Sequence, residues 1–420
     1  MQRRIFSTLL VLLLLLGAHS AWAQQATITF LTSADEAEWA YRMAEKFEQV
    51  KGIRVEVQVE SGGGIREQLP LLIAGGVAPD VSFHLIGHGV HALADSLVDL
   101  RPYVERDPEA DLSLFPPVAI EAFTVPEGLP NAGKLLGIPY AIWGQVVGRN
   151  VDLWNEAGIG FSGSWTWDEF EQIARVLTRD TDGDGVPNVY GVSMPYFWPR
   201  NAIFVHRAGR YFFDRPILPT TSYLTHPTVA EVMERVQALF ASGIVGGNYV
   251  QGTAAIRTDS RMSDFKDLPG NGYEHEFIPF PTFPAGIQGA EVTPHGFVIL
   301  ESSRNKDAAW EFVKFLTFNV ESQLELGRQP GYPRIVANLA AAREIVAEQA
   351  QELHPSVPVL INTLAHPDSF PRFVPPEATR MGAILDGYFD QALRRQSISM
   401  REALLRAHDE IVPLLEAYRP

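Results

Sequence analysis

Ala26-Thr27-Ile28-Thr29-Phe30-Leu31 and Ile53-Arg54-Val55-Glu56-Val57-Gln58-Val59 are two alternating stretches rich in β-branched residues, with a helical pattern from Glu36 to Val50 between them. Alternation sends successive side chains to opposite faces, so the segment predicts strand, helix, strand. A glycine run, Gly62 to Gly64, then leads into a helix whose Leu69, Leu72 and Ile73 share one face, and Pro79-Asp80-Val81-Ser82-Phe83 opens a third strand. Repeated βαβ units imply an α/β fold with mainly parallel sheets and ligands bound at the carboxyl ends of the strands.

Upstream of this segment, Arg3 and Arg4 precede the apolar run Leu9 to Leu16 and the small-residue tract ending Ala21-Trp22-Ala23. The run is far shorter than the roughly 20 residues a spanning helix needs. It predicts a cleaved signal peptide over residues 1–23 and a mature chain starting near Gln24. There is no cysteine, so neither a lipid anchor at a cleavage-site cysteine nor disulfide or thiol chemistry is expected. Taking two positive charges away with the leader moves the formal charge from −16 to −18. That acidity, with no Lys/Arg cluster, argues against nucleic acid as a partner. A chain of 420 residues exceeds what one hydrophobic core usually supports, which predicts two lobes.

Further along, the Pro/Gly-rich stretch Pro126 to Gly133 is expected to be the first crossing between lobes, and the proline-stiffened Phe277-Ile278-Pro279-Phe280-Pro281 the second. The expected division is residues 24–137 plus 282–328 in the N-terminal lobe and 138–281 plus 329–420 in the C-terminal lobe. The last third is helical, with apolar residues three and four apart in Leu339–Leu353, Glu377–Gln396 and Met400–Tyr418.

Several passages taken in order carry a family resemblance: Ala74-Gly75-Gly76-Val77-Ala78-Pro79-Asp80-Val81, Leu97-Val98-Asp99-Leu100, Gly133-Lys134-Leu135-Leu136-Gly137-Ile138-Pro139-Tyr140, Asn155-Glu156-Ala157-Gly158-Ile159, Trp165-Thr166-Trp167-Asp168-Glu169-Phe170 and Asn305-Lys306-Asp307-Ala308-Ala309-Trp310-Glu311-Phe312. Together they resemble the family 1 extracellular solute-binding proteins, the maltose-binding-protein-like components of ABC importers. The resemblance implies a two-lobed, type II periplasmic-binding-protein-like fold with a ligand cleft between lobes. It also implies a monomeric periplasmic binder of a small solute that docks on importer permease subunits, with no membrane anchor, no cofactor and no catalysis. By position it places Asp35, Glu36, Gly63, His84 and His88 on the first lobe's side of the cleft. From the other side it adds Trp143, Tyr196, Trp198, Asp259, Arg261, Tyr332 and Arg380. His84 stands where the maltose-binding pattern has an aromatic, and Thr258 to Met262 lacks its tryptophan, so maltose itself is not the expected ligand.

Sugars present apolar C–H faces and a rim of hydroxyls, so flat aromatics flanked by polar side chains suit them. Trp143, Tyr196 and Trp198 supply the aromatics if the prolines around Tyr196 and Trp198 mark a loop; the alternative is that these rings are core. Trp310 is expected in the core, and Trp165 and Trp167 in surface or cap packing. Asp35 and Glu36 suit either hydroxyl acceptance or the N-cap and first turn of the following helix. His84, His88 and His91 have zinc-compatible spacing, but Gly87 and Gly89 break a helix there, which favours hydrogen bonding to ligand over metal. Gly62 to Gly64 fits either an anion-binding turn or a loop of close approach. Asp180, Asp182 and Asp184 start like a calcium loop, yet position twelve is Gly191 and not a bidentate Glu. A metal-free Asx-rich turn is the favoured reading and structural calcium its alternative. Two other functions fit the same chain: binding of a charged solute such as a polyamine, phosphorylated polyol or organic acid, and processing of a glycan by a periplasmic enzyme.

Overall fold

Strand β1 (Thr27–Thr32) and strand β2 (Arg54–Val59) pair in parallel along their whole length, Thr27 with Arg54 through Thr32 with Val59. The connecting helix Ala37–Lys51 buries Trp39, Ala40, Met43, Ala44 and Phe47, a single face at spacings of three and four. It stops at Gly52, whose left-handed φ of 67° lets its N–H bond the Glu48 carbonyl. The computed structural model describes residues 26–60, 64–268, 272–329, 335–373 and 378–416. The expected leader, Gly63 and Tyr332 lie outside them. No described helix is long and apolar enough to cross a membrane.

Among the described residues two sheets carry the fold. The larger contains β1, β2, β3 (Val81–Ile86), β4 (Ile138–Gly144), β9 (Glu291–Ile299), β10 (Ile335–Val336) and β11 (Phe370–Pro371). Its order is β10-β4-β9-β3-β1-β2, with β11 on β9. The smaller sheet orders β6 (Tyr190–Ser193), β7 (Ala254–Ser260), β5 (Val146–Asn150) and β8 (His275–Ile278) as β6-β7-β5-β8. The expected predominance of parallel pairing holds for β2-β1-β3 and for β6-β7. Elsewhere the sheets are mixed: β9 runs antiparallel to β3 and β4, and β5 antiparallel to β7 and β8. Strands that return from the other sheet enter from its end of the molecule, which reverses their direction.

The first passage between sheets differs from the expected one. Pro126–Gly133 is a hairpin turn within the first lobe, closed by the Val125–Lys134 and Gly133–Val125 backbone bonds, both 2.9 Å. Gly128, Asn131 and Gly133 adopt positive φ in it. The strand after it, with Ile138 to Ile142 buried, pairs with β9 in the larger sheet, so the boundary expected at residue 138 falls one strand too early. The chain changes sheets at Gln145, the single residue between β4 and β5. The second passage runs from Pro279 to Ala290, between β8 and β9. A third begins at Arg372, after β11. The C-terminal segment is divided as well: β10 and β11 belong to the larger sheet and the helix Leu339–Glu352 packs against Val320–Gly327. By contrast Ala378–Phe389 and Met400–Glu416 pack on or beside the second-lobe helices Trp198–Arg207 and Pro227–Ala241.

One helix, Trp198–Arg207, touches all three passages. Arg200 donates to Gln145 Oε1 at 2.6 Å. Arg207 donates to the carbonyls of Pro281 (3.1 Å), Gly289 (2.9 Å) and Phe280 (3.3 Å). Trp198 meets Phe373 edge-on at 4.9 Å, and His206 Nε2 lies 2.6 Å from the Asp368 carbonyl oxygen. Burial brings the Arg207 guanidinium down to about 10, which leaves it charged at neutral pH. Removing it strands three acceptors of a proline-rich segment that has few donors of its own. Arg207→Met is therefore expected to lower stability by about 3 kcal/mol or more. The measurement is the urea midpoint at unchanged denaturant slope, and a wild-type midpoint would contradict the assignment.

Two buried histidines set a pH dependence. His91 Nε2 lies 2.9 Å from the Ala122 carbonyl oxygen, and burial pulls this imidazole from 6.5 down to about 4. His275, 2.6 Å from the Tyr249 hydroxyl, is pulled to about 3 by burial and by nearby His354 and Arg257. Both folded values lie below the unfolded one, so the unfolded chain takes up the extra protons. The stability of the neutral imidazoles is complete above pH 6.5 and is lost as pH falls through the two folded values. Urea titrations should show unfolding free energy declining from about pH 7 to about pH 4, with part of the slope removed in His91→Gln. A flat wild-type profile would refute this.

Candidate functional site

The three passages bring polar side chains from both sheets to one place. Gln145 forms the first passage, Glu291 opens β9 after the second, and Arg372 begins the third. Arg200 reaches in from the second lobe: its Nη1 bonds Gln145 and lies 3.9 Å from Glu291 Oε1. Asp259 and Arg261, at the end of β7, belong to the same electrostatic neighbourhood, since both act on Arg200 together with Arg372. Asp259 is held by Arg257 at 3.0 Å and by Arg261 at 3.4 Å, and Arg257 also bonds Asp264 at 3.1 Å.

Burial shapes the charges here. Glu291 is 3% exposed, and desolvation raises its pKa against the opposing pull of Arg372 and Arg200. Arg200 is lowered by burial, with the Glu291 carboxylate pulling most strongly the other way. Several buried polar atoms at this floor have no hydrogen-bond partner among the described residues: Gln145 Nε2, Arg200 Nε, Arg261 Nε, Glu291 Oε2 and the Tyr211 hydroxyl. Each such atom costs on the order of 1–3 kcal/mol if left unmatched. These five lie where the passages between the lobes meet, which makes that place the candidate for a polar ligand.

The expected site residues fall into three groups. Asp259 and Arg261 belong to the cluster, and Trp143, two residues before Gln145, stands beside it with its indole stacked on His295 at 5.2 Å and 11°. Others have different roles. Trp198 is 5% exposed and packed against Phe212 and Phe373, so it is core and offers no open face. The prolines around it do not mark a loop: Pro199 occupies the first turn of the helix, where its missing N–H costs nothing. Tyr196 is 41% exposed, and its ring carries the Arg394 guanidinium at 5.1 Å, a cation that Asp390 holds in turn. Asp35 is exposed and Glu36 buried in the turn Ala34–Glu36, and Glu36 takes the N-cap position of Ala37–Lys51 without a side-chain cap bond. Arg380 is exposed on Ala378–Phe389. The third group is undescribed at the side chain: His84 lies in β3 and His88 in the one-turn helix Gly87–Val90, so the two glycines do not break the helix as expected. Trp165 and Trp167 are buried core rings, as Trp310 is, and not surface packing.

At the acidic turn, ligand oxygens of Asp180, Asp182 and Asp184 lie within 4.8 Å of one another. Asp180 accepts from the Gly183 (2.7 Å) and Gly185 (2.8 Å) amides, and these bonds hold its carboxyl below the usual range. Gly191 explains why no Glu stands at position twelve. A Cβ there would sit 1.9 Å from the Ala174 carbonyl oxygen, so the strand–helix contact excludes any side chain.

Sequence reading missed Gln145, Arg200, Glu291, Arg372 and Tyr211. No local pattern distinguishes them, because they meet only through passages far apart in the chain.

The curated maltotriose-binding protein of Pyrococcus abyssi is 24% identical over 381 residues, 85% of this chain and 75% of that protein. Among solved structures, the sugar-binding protein MalE from the phytopathogen Xanthomonas citri superposes with a TM-score of 0.78 at 19% identity, covering 94% of this chain and 98% of that one. The Thermus thermophilus maltotriose binding protein bound with maltotriose gives 0.64 at 20% identity, over 92% and 100%. These likenesses establish the two-lobed fold. Residues 33–321 match the profile described as bacterial extracellular solute-binding protein. With sheets, passages and profile in agreement over most of its length, the chain belongs to that family of solute-binding proteins.

Proposed function

We propose that this protein captures a saccharide between its lobes in the periplasm and presents it, chemically unchanged, to the permease subunits of an ABC importer. The observation that carries the reading is the set of unpartnered buried polar atoms on Gln145, Arg200, Arg261 and Glu291 beside the half-buried indole of Trp143. Donors, a carboxylate acceptor and one aromatic are what an array of hydroxyls with an apolar face requires. The names of the relatives, sugar and maltotriose binders, support the same ligand class. Because the floor is built from the passages, a ligand bound there contacts both lobes and favours whichever arrangement gives it more contacts.

A panel of neutral and acidic mono- and oligosaccharides tests this by thermal shift. A true ligand at a hundredfold its dissociation constant adds about 2.7 kcal/mol of stability. It should also reduce the radius of gyration in solution scattering and be recovered intact after incubation. Gln145→Ala is expected to weaken binding about tenfold, as loss of one buried hydrogen bond does. No shift with any saccharide, or turnover of one, would overturn the proposal.

A further inference from the structure

The lobes also touch outside the three passages. Phe213 to Ser222 is a loop rooted in the second lobe. Its two ends pair as an antiparallel bridge, and Ser222 Oγ lies 3.0 Å from His408 Nδ1 on Met400–Glu416. The neighbouring Phe212 packs edge-on against Trp198 and Phe389. From this root Arg215 Nη1 donates at 3.0 Å to the carbonyl oxygen of Glu127, in the hairpin Pro126–Gly133 of the first lobe. That hairpin is tied to its own lobe by Arg101 Nε on the Gly133 carbonyl and by Asn131 on Asp95, both at 2.9 Å.

The loop is built to keep its shape. Asp214 accepts from the Thr220 and Thr221 amides and from the Thr220 hydroxyl, each at 2.9 Å, which laces the two sides together. Pro216 and Pro219 fix two of its φ angles, and Ile217 between them is buried. Leu218 carries a left-handed φ of 46°, a conformation that a bulky side chain keeps when its surroundings impose it. Arg215 supplies that restraint: its Nε donates to the Leu218 carbonyl at 3.0 Å while Nη1 crosses to Glu127. One planar guanidinium thus sets the loop and grips the other lobe. The grip is a bond to a neutral carbonyl at the surface, so it can open and re-form without disturbing either apolar core.

We propose that Phe213–Ser222 is a strap that holds the two lobes in the arrangement seen here, with Arg215 as its clasp. Releasing the clasp shifts the resting balance between lobe arrangements, and a ligand that prefers one of them is then bound with altered apparent affinity. The strap acts in the empty protein and stands whether or not the ligand is a saccharide. Because the acceptor is a main-chain oxygen, the Glu127 carboxylate has no part in the clasp.

With no native cysteine, the chain accepts a clean pair of spin labels. Tyr41→Cys, on Ala37–Lys51 of the first lobe, and Val176→Cys, on the second-lobe helix Trp167–Leu177, replace exposed side chains. Double electron–electron resonance on the unliganded full chain reads the distance between them. In Arg215→Met the ratio of lobe arrangements should move about tenfold, the scale of one hydrogen bond to a charged donor, seen as a displaced or second distance peak. Glu127→Ala, which keeps the carbonyl, should leave the distribution unaltered. An unchanged distribution in Arg215→Met overturns the proposal; faster hydrogen exchange at the Thr220 and Thr221 amides would then assign Arg215 to bracing its own loop. A shift in Glu127→Ala as large as that in Arg215→Met equally overturns it, by giving the contact to the carboxylate.

Discussion

The architecture depends on the guanidinium of Arg207 and the three carbonyls it holds. A chain that leaves one sheet and enters another must expose backbone acceptors at the crossing, and prolines at 279, 281 and 284 remove the donors that would otherwise satisfy them locally. A single buried arginine replaces the missing ladder. Its helix also bears Arg200 and Trp198, so the groups that secure the second passage and those that touch the first and third move as one rigid body.

That arrangement gathers buried polar groups at the passages between the sheets. Small polar solutes need directional partners, and partners left unmatched in a protein interior are costly. The floor where residues from three separate passages meet holds five such atoms and lies beside aromatic packing: Tyr211 and Phe213 against Phe373, and Tyr211 against Phe370. The lobes themselves are conventional apolar cores, with Trp39, Phe83 and Phe297 in the larger and Trp167, Phe204 and Phe283 in the smaller.

What the residues disclose by their order alone follows from distance along the chain. The parallel β1–β2 pair is readable because Ala26–Leu31, the helix face and Ile53–Val59 are neighbours in sequence and carry the periods of strand and helix. The capping box at Thr166 and Glu169 is local in the same way. Pro126–Gly133 misleads because a turn within a lobe and a link between lobes share one composition; only the pairing of Ile138–Gly144 with β9 tells them apart. Trp198 misleads because proline opens helices as readily as it interrupts them. Asp259 and Arg261 are marked by the family-like position at which β7 ends. Glu291 is not, since a carboxylate at the start of a strand has no signature until a guanidinium some ninety residues earlier is folded against it.

The first passage is one residue long. A tether that short fixes an axis: the second passage, twelve residues from Pro279 to Ala290, can flex, but Gln145 cannot shift without dragging β4 and β5 with it. The side chain at this axis also carries a buried amide N–H with no partner among the described residues. On the proposed reading, selectivity and mechanical travel share that one residue, so a substitution that retunes one retunes the other.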